Sequence, residues 1–512
     1  MKTKLILTFT LLLFGSRVFA QNKYGNEWVN GFLYYYKTDF TFSTPNNTLI
    51  GNNTNIVFHF SHSNICDSIG KLLLLSDGFN IYNANGDTIS GGYQMVPPLW
   101  FQVAGPSALG WYQNSLFLPI KNSQYYFITP TYSDSLFDYI QNHPNVNPHF
   151  DLLLCSKIDM KKNNGQGRVV KKMDTLVEEA QLAMTQMTAC RHGDGKSWWL
   201  LKQAPDTNMV YKFLLTQDSI FGPFIQGFAQ PHFGVFHNGG QSVISNDGTK
   251  YATTSRGSGV VFVADFDRCS GLLSNPKTYT VPSPAVFFDD GSFYYTDIFT
   301  ESVAFSANGR FLYIGKYASI MQLDLWDNNM NTAWDTIARM DTTEVEFTDY
   351  STMYIGPDDK IYIGNWNVWC TQMSVINSPN QKGALCGFCP KCLRFPKVAG
   401  WSGTVTSPPN MVNYRLGATN PICWPAGVEE VPPQEEITVY PNPFEATLII
   451  KCSHAQINTF SLYDSFGKLI LTKTIEASKE QINTAQLAAG LYFYSIVNKN
   501  GERVKAGKVV KE

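Results

Sequence analysis

The chain has 512 residues, with 39 Lys and Arg against 41 Asp and Glu and a formal charge of −2. At 44% hydrophobic, 14% aromatic and only 16% charged residues, its composition is that of a folded protein. The near balance of charge excludes the strong field that nucleic acid or an anionic bilayer would exploit, so neither is expected as a partner.

Residues 1–20 open with Lys2 and Lys4, continue through an apolar run over 5–14 and end in Val18-Phe19-Ala20. This is the pattern of a secretory signal peptide, with cleavage expected between Ala20 and Gln21. A spanning helix needs about 20 apolar residues, and no stretch of the chain reaches that length, so no transmembrane span is expected. Ten cysteines in an exported chain favour disulfides, with the pairing left open. Cys386, Cys389 and Cys392, with Cys423 downstream, form the one group with metal-like spacing. No partner pair of closely spaced histidines accompanies it, so it reads as a disulfide cluster and not as a zinc site.

Through the middle of the chain a turn followed by a short aromatic or β-branched run recurs. The turns are Asp194-Gly195, Asp247-Gly248, Asn308-Gly309 and Asp358-Asp359, at intervals of roughly 50 to 60 residues. Such turns supply the positive φ of tight hairpins, and the runs after them suit strands. A further apolar segment follows each run, so the unit is several strands long. Looser copies begin at Leu72-Leu73-Leu74-Leu75-Ser76-Asp77-Gly78 and at Gln124-Tyr125-Tyr126-Phe127-Ile128. A repeat of this length with about four strands predicts an all-β fold, a β-propeller. Six copies are countable; a seventh, assembled from residues 27–36 and 409–416, would close the ring by pairing the two ends. Seven blades are therefore expected, with six as the alternative, and a pair of β-sandwiches as the rival architecture.

The runs Cys66-Asp67-Ser68-Ile69-Gly70-Lys71, Ala189-Cys190-Arg191-His192-Gly193-Asp194-Gly195, Asp265-Phe266-Asp267-Arg268-Cys269 and Gly356-Pro357-Asp358-Asp359-Lys360-Ile361-Tyr362 resemble the exported WD-type, seven-bladed propellers of gliding and type IX-secreting bacteria. That resemblance covers roughly residues 25–417 and implies a fold, not a chemistry.

Four prolines and several glutamates over 418–436 mark an extended linker, after which 437–512 reads as a small Ig-like β-sandwich. The domain plan is thus a signal peptide over 1–20, a propeller over 21–417, the linker, and a C-terminal domain. Tyr440-Pro441-Asn442-Pro443, the turn at Gly467, Gly490 with Tyr492, and the basic end with Lys508 and Lys511 resemble the type A C-terminal sorting domain of type IX secretion. The resemblance implies engagement of that secretion machinery, removal of the domain after export, and release of the cargo or its attachment to surface lipopolysaccharide.

Catalytic motifs are lacking: the sequence holds no Gly-x-Ser-x-Gly, His-Glu-x-x-His or phosphate-binding loop. His192 beside Asp194, the pair His232 and His237, and Asp289-Asp290-Gly291 read as turn or packing residues before they read as bases or metal ligands. Trp198, Trp199 and Trp401 read as strand or core aromatics, whereas Trp366 and Trp369 follow a strand end and form a candidate binding face. Six Asp-Ser or Asp-Thr pairs before an aliphatic residue, such as Asp67-Ser68-Ile69, resemble O-glycosylation acceptors. No catalytic residue, cofactor or metal is expected. The functional expectation is an extracellular binding or adhesion module for a protein or polysaccharide. The alternatives are a propeller enzyme (a glycan or peptide hydrolase or lyase) with acids at the channel mouth, and a structural part of a surface adhesion or motility assembly.

Overall fold

The computed structural model describes residues 23–31, 35–41, 45–51, 56, 58, 60–105, 110–121, 123–205, 209–228, 239–283, 285–287, 293–296, 299–340, 349–365, 371–396, 407–423, 437–451, 458–464, 468–498 and 503–512. The chain divides into two compact units, Met1–Cys423 and Trp424–Glu512.

The first unit is a β-propeller. Among the described residues it holds seven sheets of three or four strands and one two-stranded hairpin, each an antiparallel meander of consecutive strands. Sheet I contains Glu27–Gly31, Tyr35–Asp39 and Asn46–Gly51; sheet II contains Ser63–Cys66, Leu72–Ser76 and Ile81–Asn83. Sheet III contains Leu116–Pro119, Gln124–Thr131, Leu152–Asp159 and Arg168–Val177; sheet IV contains Met187–Arg191, Trp198–Gln203, Met209–Leu215 and Ile220–Gly227. Sheet V runs from Ser242–Ile244 through Lys250–Thr254 and Val260–Phe266 to Leu273–Thr280, and sheet VI from Thr300–Phe305 through Phe311–Lys316 and Ser319–Asp324 to Trp334–Arg339. Sheet VII contains Met353–Ile355, Ile361–Ile363, Gln372–Ile376 and Phe388–Arg394. First strands are wholly buried in sheets II, III, IV and VI, and the last strands of sheets IV and V are mostly exposed. Separate apolar clusters fill the spaces between sheets IV and V, V and VI, and VI and VII. Each sheet thus buries both faces against its neighbours, the arrangement of blades around an axis.

The recurring turns join first to second strands. Gly195, Gly248 and Gly309 take φ of 71°, 78° and 70°, and Asp359 takes the same left-handed conformation at 61°. The acidic or amide side chain before each bend completes it: Asp194 Oδ1 accepts from the Lys196 and Ser197 N–H groups, and Asn308 Oδ1 from that of Arg310. Sheet II corrects the frame of the sequence repeat. Its Asp77-Gly78 joins the second and third strands, where buried Asp77 accepts from the Phe79 and Asn80 N–H groups and the Tyr82 hydroxyl. The equivalent of the other turns there is Asp67–Gly70, with Asp67 Oδ1 accepting from the Ile69 and Lys71 N–H groups.

Ring closure differs from the expected strand pairing. The first strand of sheet I runs opposite to that of sheet II: Glu27 N–H faces Cys66 Sγ at 3.2 Å, and Val29 N–H donates to Asn64 Oδ1 at 3.0 Å. Sheet I is a three-stranded meander whose first strand is wholly buried. Residues 407–416 lie against sheets VII and III and beside His62, and among the described residues no ladder joins them to sheet I. Pro408 and Pro409 carry no N–H, and the segment is held by the Asn410 N–H on His62 O and by its side chains. Sheet I meets sheet VII directly, with Trp28 and Phe40 edge-on to Tyr362 at 5.5 and 5.2 Å and the Tyr36 hydroxyl donating to Pro396 O.

The second unit is a two-sheet sandwich. One sheet orders Thr438–Tyr440, Thr447–Lys451 and Lys479–Asn483; the other orders Leu469–Ile475, Asn458–Tyr463, Gly490–Asn498 and Arg503–Lys511. Phe444, Leu448, Ile450, Phe460, Leu462 and Ile496 lie in the core between them.

Candidate functional site: a strapped central channel

Glutamines stand just before the first strands of sheets III, IV and V, and they tie the ring together across its axis. Gln113, at a left-handed φ of 57°, accepts at Oε1 from the N–H groups of Met187 and Ser242; its Nε2 donates to Ser242 O and the Tyr354 hydroxyl. Gln241 exchanges two hydrogen bonds with the Met353 backbone, and Gln186 donates to Thr254 O. These side-chain amides supply the partners that buried backbone groups at the strand starts require. They close one end of the channel.

Residues 407–419 form a strap that runs from this glutamine end to the hairpin end. Ser407 Oγ pairs with Thr352 Oγ1 at 2.7 Å; Asn410 donates to Ser115 O and to His62 O. Further along, Asn413 donates to Asn246 O, the Tyr414 hydroxyl donates to Phe117 O, and Arg415 donates to Pro357 O and pairs with Asp359 at 2.9 Å. Arg268 donates to the carbonyls of Arg191, His192 and Gly417. The Cys269–Cys423 disulfide locks the far end of the strap to sheet V. Arg191, stacked 3.8 Å over Trp198, is buried beside the strap, and that burial lowers its pKa to about 10.

At the hairpin end the strap leaves a cavity of about 170 Å³. Its floor is apolar, with Ile244, Phe305, Met353, Ile355 and Met411. Its polar groups include the hydroxyl-bearing Thr188, Tyr354 and Tyr414, the amides of Asn26, Asn246 and Asn413 and the cations of Lys23 and Arg415. No acidic residue lines it among the described residues.

At the opposite end, acids do converge. Glu301 and Asp349 are each 1% exposed, and Arg256 Nε lies 2.9 Å from Glu301 Oε1. Burial, and then the negative charge of Glu301 and Asp349, pushes the Tyr112 hydroxyl well above its ordinary pKa. Among the described residues no three His, Cys, Asp or Glu side chains gather as a metal site.

His192 and Asp194 hold a turn. His192 is buried, its Nδ1 accepts from the Asp194 N–H at 3.0 Å and its Nε2 lies 3.0 Å from Cys269 O. Burial opposes ionisation of Asp194, yet hydrogen bonds from the Ser197 hydroxyl and the Lys196 and Ser197 N–H groups hold its pKa well below the carboxylate range. Trp198 and Trp199 are core residues whose indole N–H groups reach Pro119 O and Arg268 O. The cysteine group divides: Cys389 bonds Cys392, Cys423 bonds Cys269, and Cys386 is a buried free thiol. The pairing left open by the sequence joins Cys423 to Cys269, which comes close only through the fold. Ala20, Gln21, His232, His237, Asp289, Asp290, Gly291, Trp366, Trp369, Trp401 and Gly467 lie outside the described residues.

In the second unit Asn442 acts as a backbone rung: its Oδ1 accepts from the Val510 N–H at 2.8 Å and its Nδ2 donates to Lys508 O. Tyr440 ends the first strand, Pro441 and Pro443 flank Asn442, and Phe444 N–H continues the pairing to Val510 O. Gly490 opens the strand in which buried Tyr492 donates its hydroxyl to Ala488 O. Lys511 lies 5.9 Å from the Phe444 ring. The Tyr-Pro-Asn-Pro motif thus fastens the last strand, a role that its spacing in sequence does not disclose.

Residues 438–512 match the family described as the secretion system C-terminal sorting domain. The protein is exported by type IX secretion to the cell surface or released beyond it. No curated protein matches the chain. Among solved structures, the chain is similar to PorZ, an essential surface component of the type IX secretion system of Porphyromonas gingivalis, at 11% identity over 96% of this chain and 74% of that one, with a TM-score of 0.30. It is also similar to the periplasmic gluconolactonase of Pseudomonas aeruginosa, at 14% identity over 77% and 96% with a TM-score of 0.37. A putative 6-phosphogluconolactonase of Bacteroides fragilis shares 12% identity over 68% and 90%, with a TM-score of 0.39. At such scores these similarities carry nothing about what this chain binds. No helix among the described residues is long and apolar enough to cross a membrane.

Proposed function

We propose that the exported chain is a seven-bladed, WD-type propeller that acts as a binding or adhesion module, recognising an extracellular protein or polysaccharide at the hairpin end of its channel. The observation that carries this reading is the cavity there, concave, largely apolar and edged by amides and cations. In this reading the signal peptide is cut between Ala20 and Gln21, residues 21–417 form the propeller, and 418–436 link it to the sorting domain. The secretion machinery recognises that domain, which is then removed, with the propeller released or joined to lipopolysaccharide.

A second reading, an extracellular glycan or peptide hydrolase or lyase, is favoured by the convergence of Glu301 and Asp349 on Tyr112. Against it, both acids are 1% exposed and Glu301 is ion-paired with Arg256. The test is a binding screen of the exported protein against extracellular polysaccharides and matrix proteins, with each hit assayed for cleavage. Saturable binding without product supports the module. Product formation abolished by Glu301→Gln supports the enzyme, and fixed partners with no other ligand indicate an assembly component.

A further inference from the structure

We infer that the hairpin-end cavity takes a compact apolar group bearing one carboxylate. This rests on the cavity being the binding site of the proposed module and goes on to name the chemistry. The volume of about 170 Å³ is the first ground. A dry protein cavity of about 150 Å³ holds a benzene molecule, so the floor of Phe305, Met353, Ile355 and Met411 accommodates an apolar body of about six carbons.

Charge is the second ground. Both ionisable side chains with a standing charge in the lining are cations, Lys23 and Arg415. Arg415 is partly neutralised by Asp359, at 2.9 Å and outside the lining, and Glu27, next to Asn26, is paired with Lys37 at 2.8 Å. Lys23 has no ion pair among the described residues, so the unbalanced charge at the rim is positive. Asn26 and Asn246 add neutral donors and acceptors beside it. A cation facing an apolar floor selects a carboxylate over an ammonium, because the ammonium meets like charge while giving up water. The same chemistry is presented by a free small acid and by a protein C-terminus ending in an apolar residue.

Calorimetry on the full exported protein separates these outcomes, with hexanoate, hexanol, hexylamine, and a short peptide ending in leucine as its free carboxylate or its amide. Expected is saturable binding of hexanoate, weaker binding of hexanol and none of hexylamine, with hexanoate affinity falling as salt is raised. Lys23→Met, at an exposed position, weakens hexanoate roughly three- to fivefold and leaves hexanol unchanged. Binding of the leucine peptide, lost on amidation, assigns a protein C-terminus; binding of hexanoate without it assigns a free acid. Hexanol or hexylamine binding as tightly as hexanoate overturns the inference, as does hexanoate binding insensitive to Lys23→Met and to salt. Silence of every small probe overturns it too, and if polysaccharide or protein ligands still bind, the module reading stands without this cavity chemistry.

Discussion

Tyr354 donates its hydroxyl hydrogen to Asn410 Oδ1 across 3.0 Å, joining sheet VII to the strap. The same hydroxyl accepts from Gln113 Nε2 at 3.2 Å, so strap and glutamine belt share one buried network. Replacing Asn410 by Ala removes the acceptor for Tyr354 and the donor to Ser115 O together. Asn410→Ala is expected to cost about 1–3 kcal/mol, since the remaining groups stay buried without partners. Urea unfolding, with an unchanged denaturant slope, checks this; a loss below experimental error removes the strap from the stability of the ring.

The Cys269–Cys423 bridge spans a sequence separation of 154 residues. Constraining a loop of that length in the unfolded chain is worth roughly 5 kcal/mol in the chain-entropy account. Cys269→Ser with Cys423→Ser is therefore expected to lower the unfolding midpoint and to free the strap locally. Trypsin then cuts after Arg415 in the variant and not in the oxidised protein, as mass spectrometry of the fragments reads directly.

Lys202 is 0% exposed, donates to Thr185 O, and has its pKa pushed well below the ordinary lysine value by burial alone. Between that lowered value and about 10.4 the unfolded chain holds a proton that the folded chain lacks. Stability therefore rises with pH through this window, by up to about 1.4 kcal/mol per unit, and falls as pH drops. Lys202→Met deletes the slope. Compared at pH 7 and pH 9 by denaturant unfolding, the variant should gain on the wild type as pH is lowered; parallel curves would mean the lysine is charged in the fold.

Deleting residues 437–512 removes the matched sorting domain and none of the propeller core. The truncated chain is expected to fold and to remain in the periplasm, as fractionation by immunoblot would show. Its arrival outside the cell would sink the assignment of export to this domain.

Much of the architecture is legible in local chemistry. Asp-Gly and Asn-Gly bends followed by aromatic and β-branched runs announce hairpins because both signals act within a few residues. Asp77-Gly78 misleads for the same reason, since a good bend does not say which two strands it joins. The site is less legible. Gln113 reaches Tyr354 over a separation of 241 residues, and Asn410 reaches Ser115 over 295. Nothing near either residue in sequence signals the partner. The strap has the apolar content of a strand, and only the surrounding strands decide that its polar side chains do most of the bonding. Cys423 likewise lies within reach of three nearby cysteines in sequence, while its partner sits in a hairpin of sheet V.

The order of the chain gives the strap a further consequence. Residues 407–416 follow every sheet of the ring in sequence, so Asn410 and Tyr414 reach Ser115 and Phe117 only once the whole ring has been made. Any shorter fragment leaves the carbonyls of His62, Ser115 and Phe117 without these partners. The segment comes just ahead of the matched sorting domain, so any chain that carries the sorting domain already carries the strap.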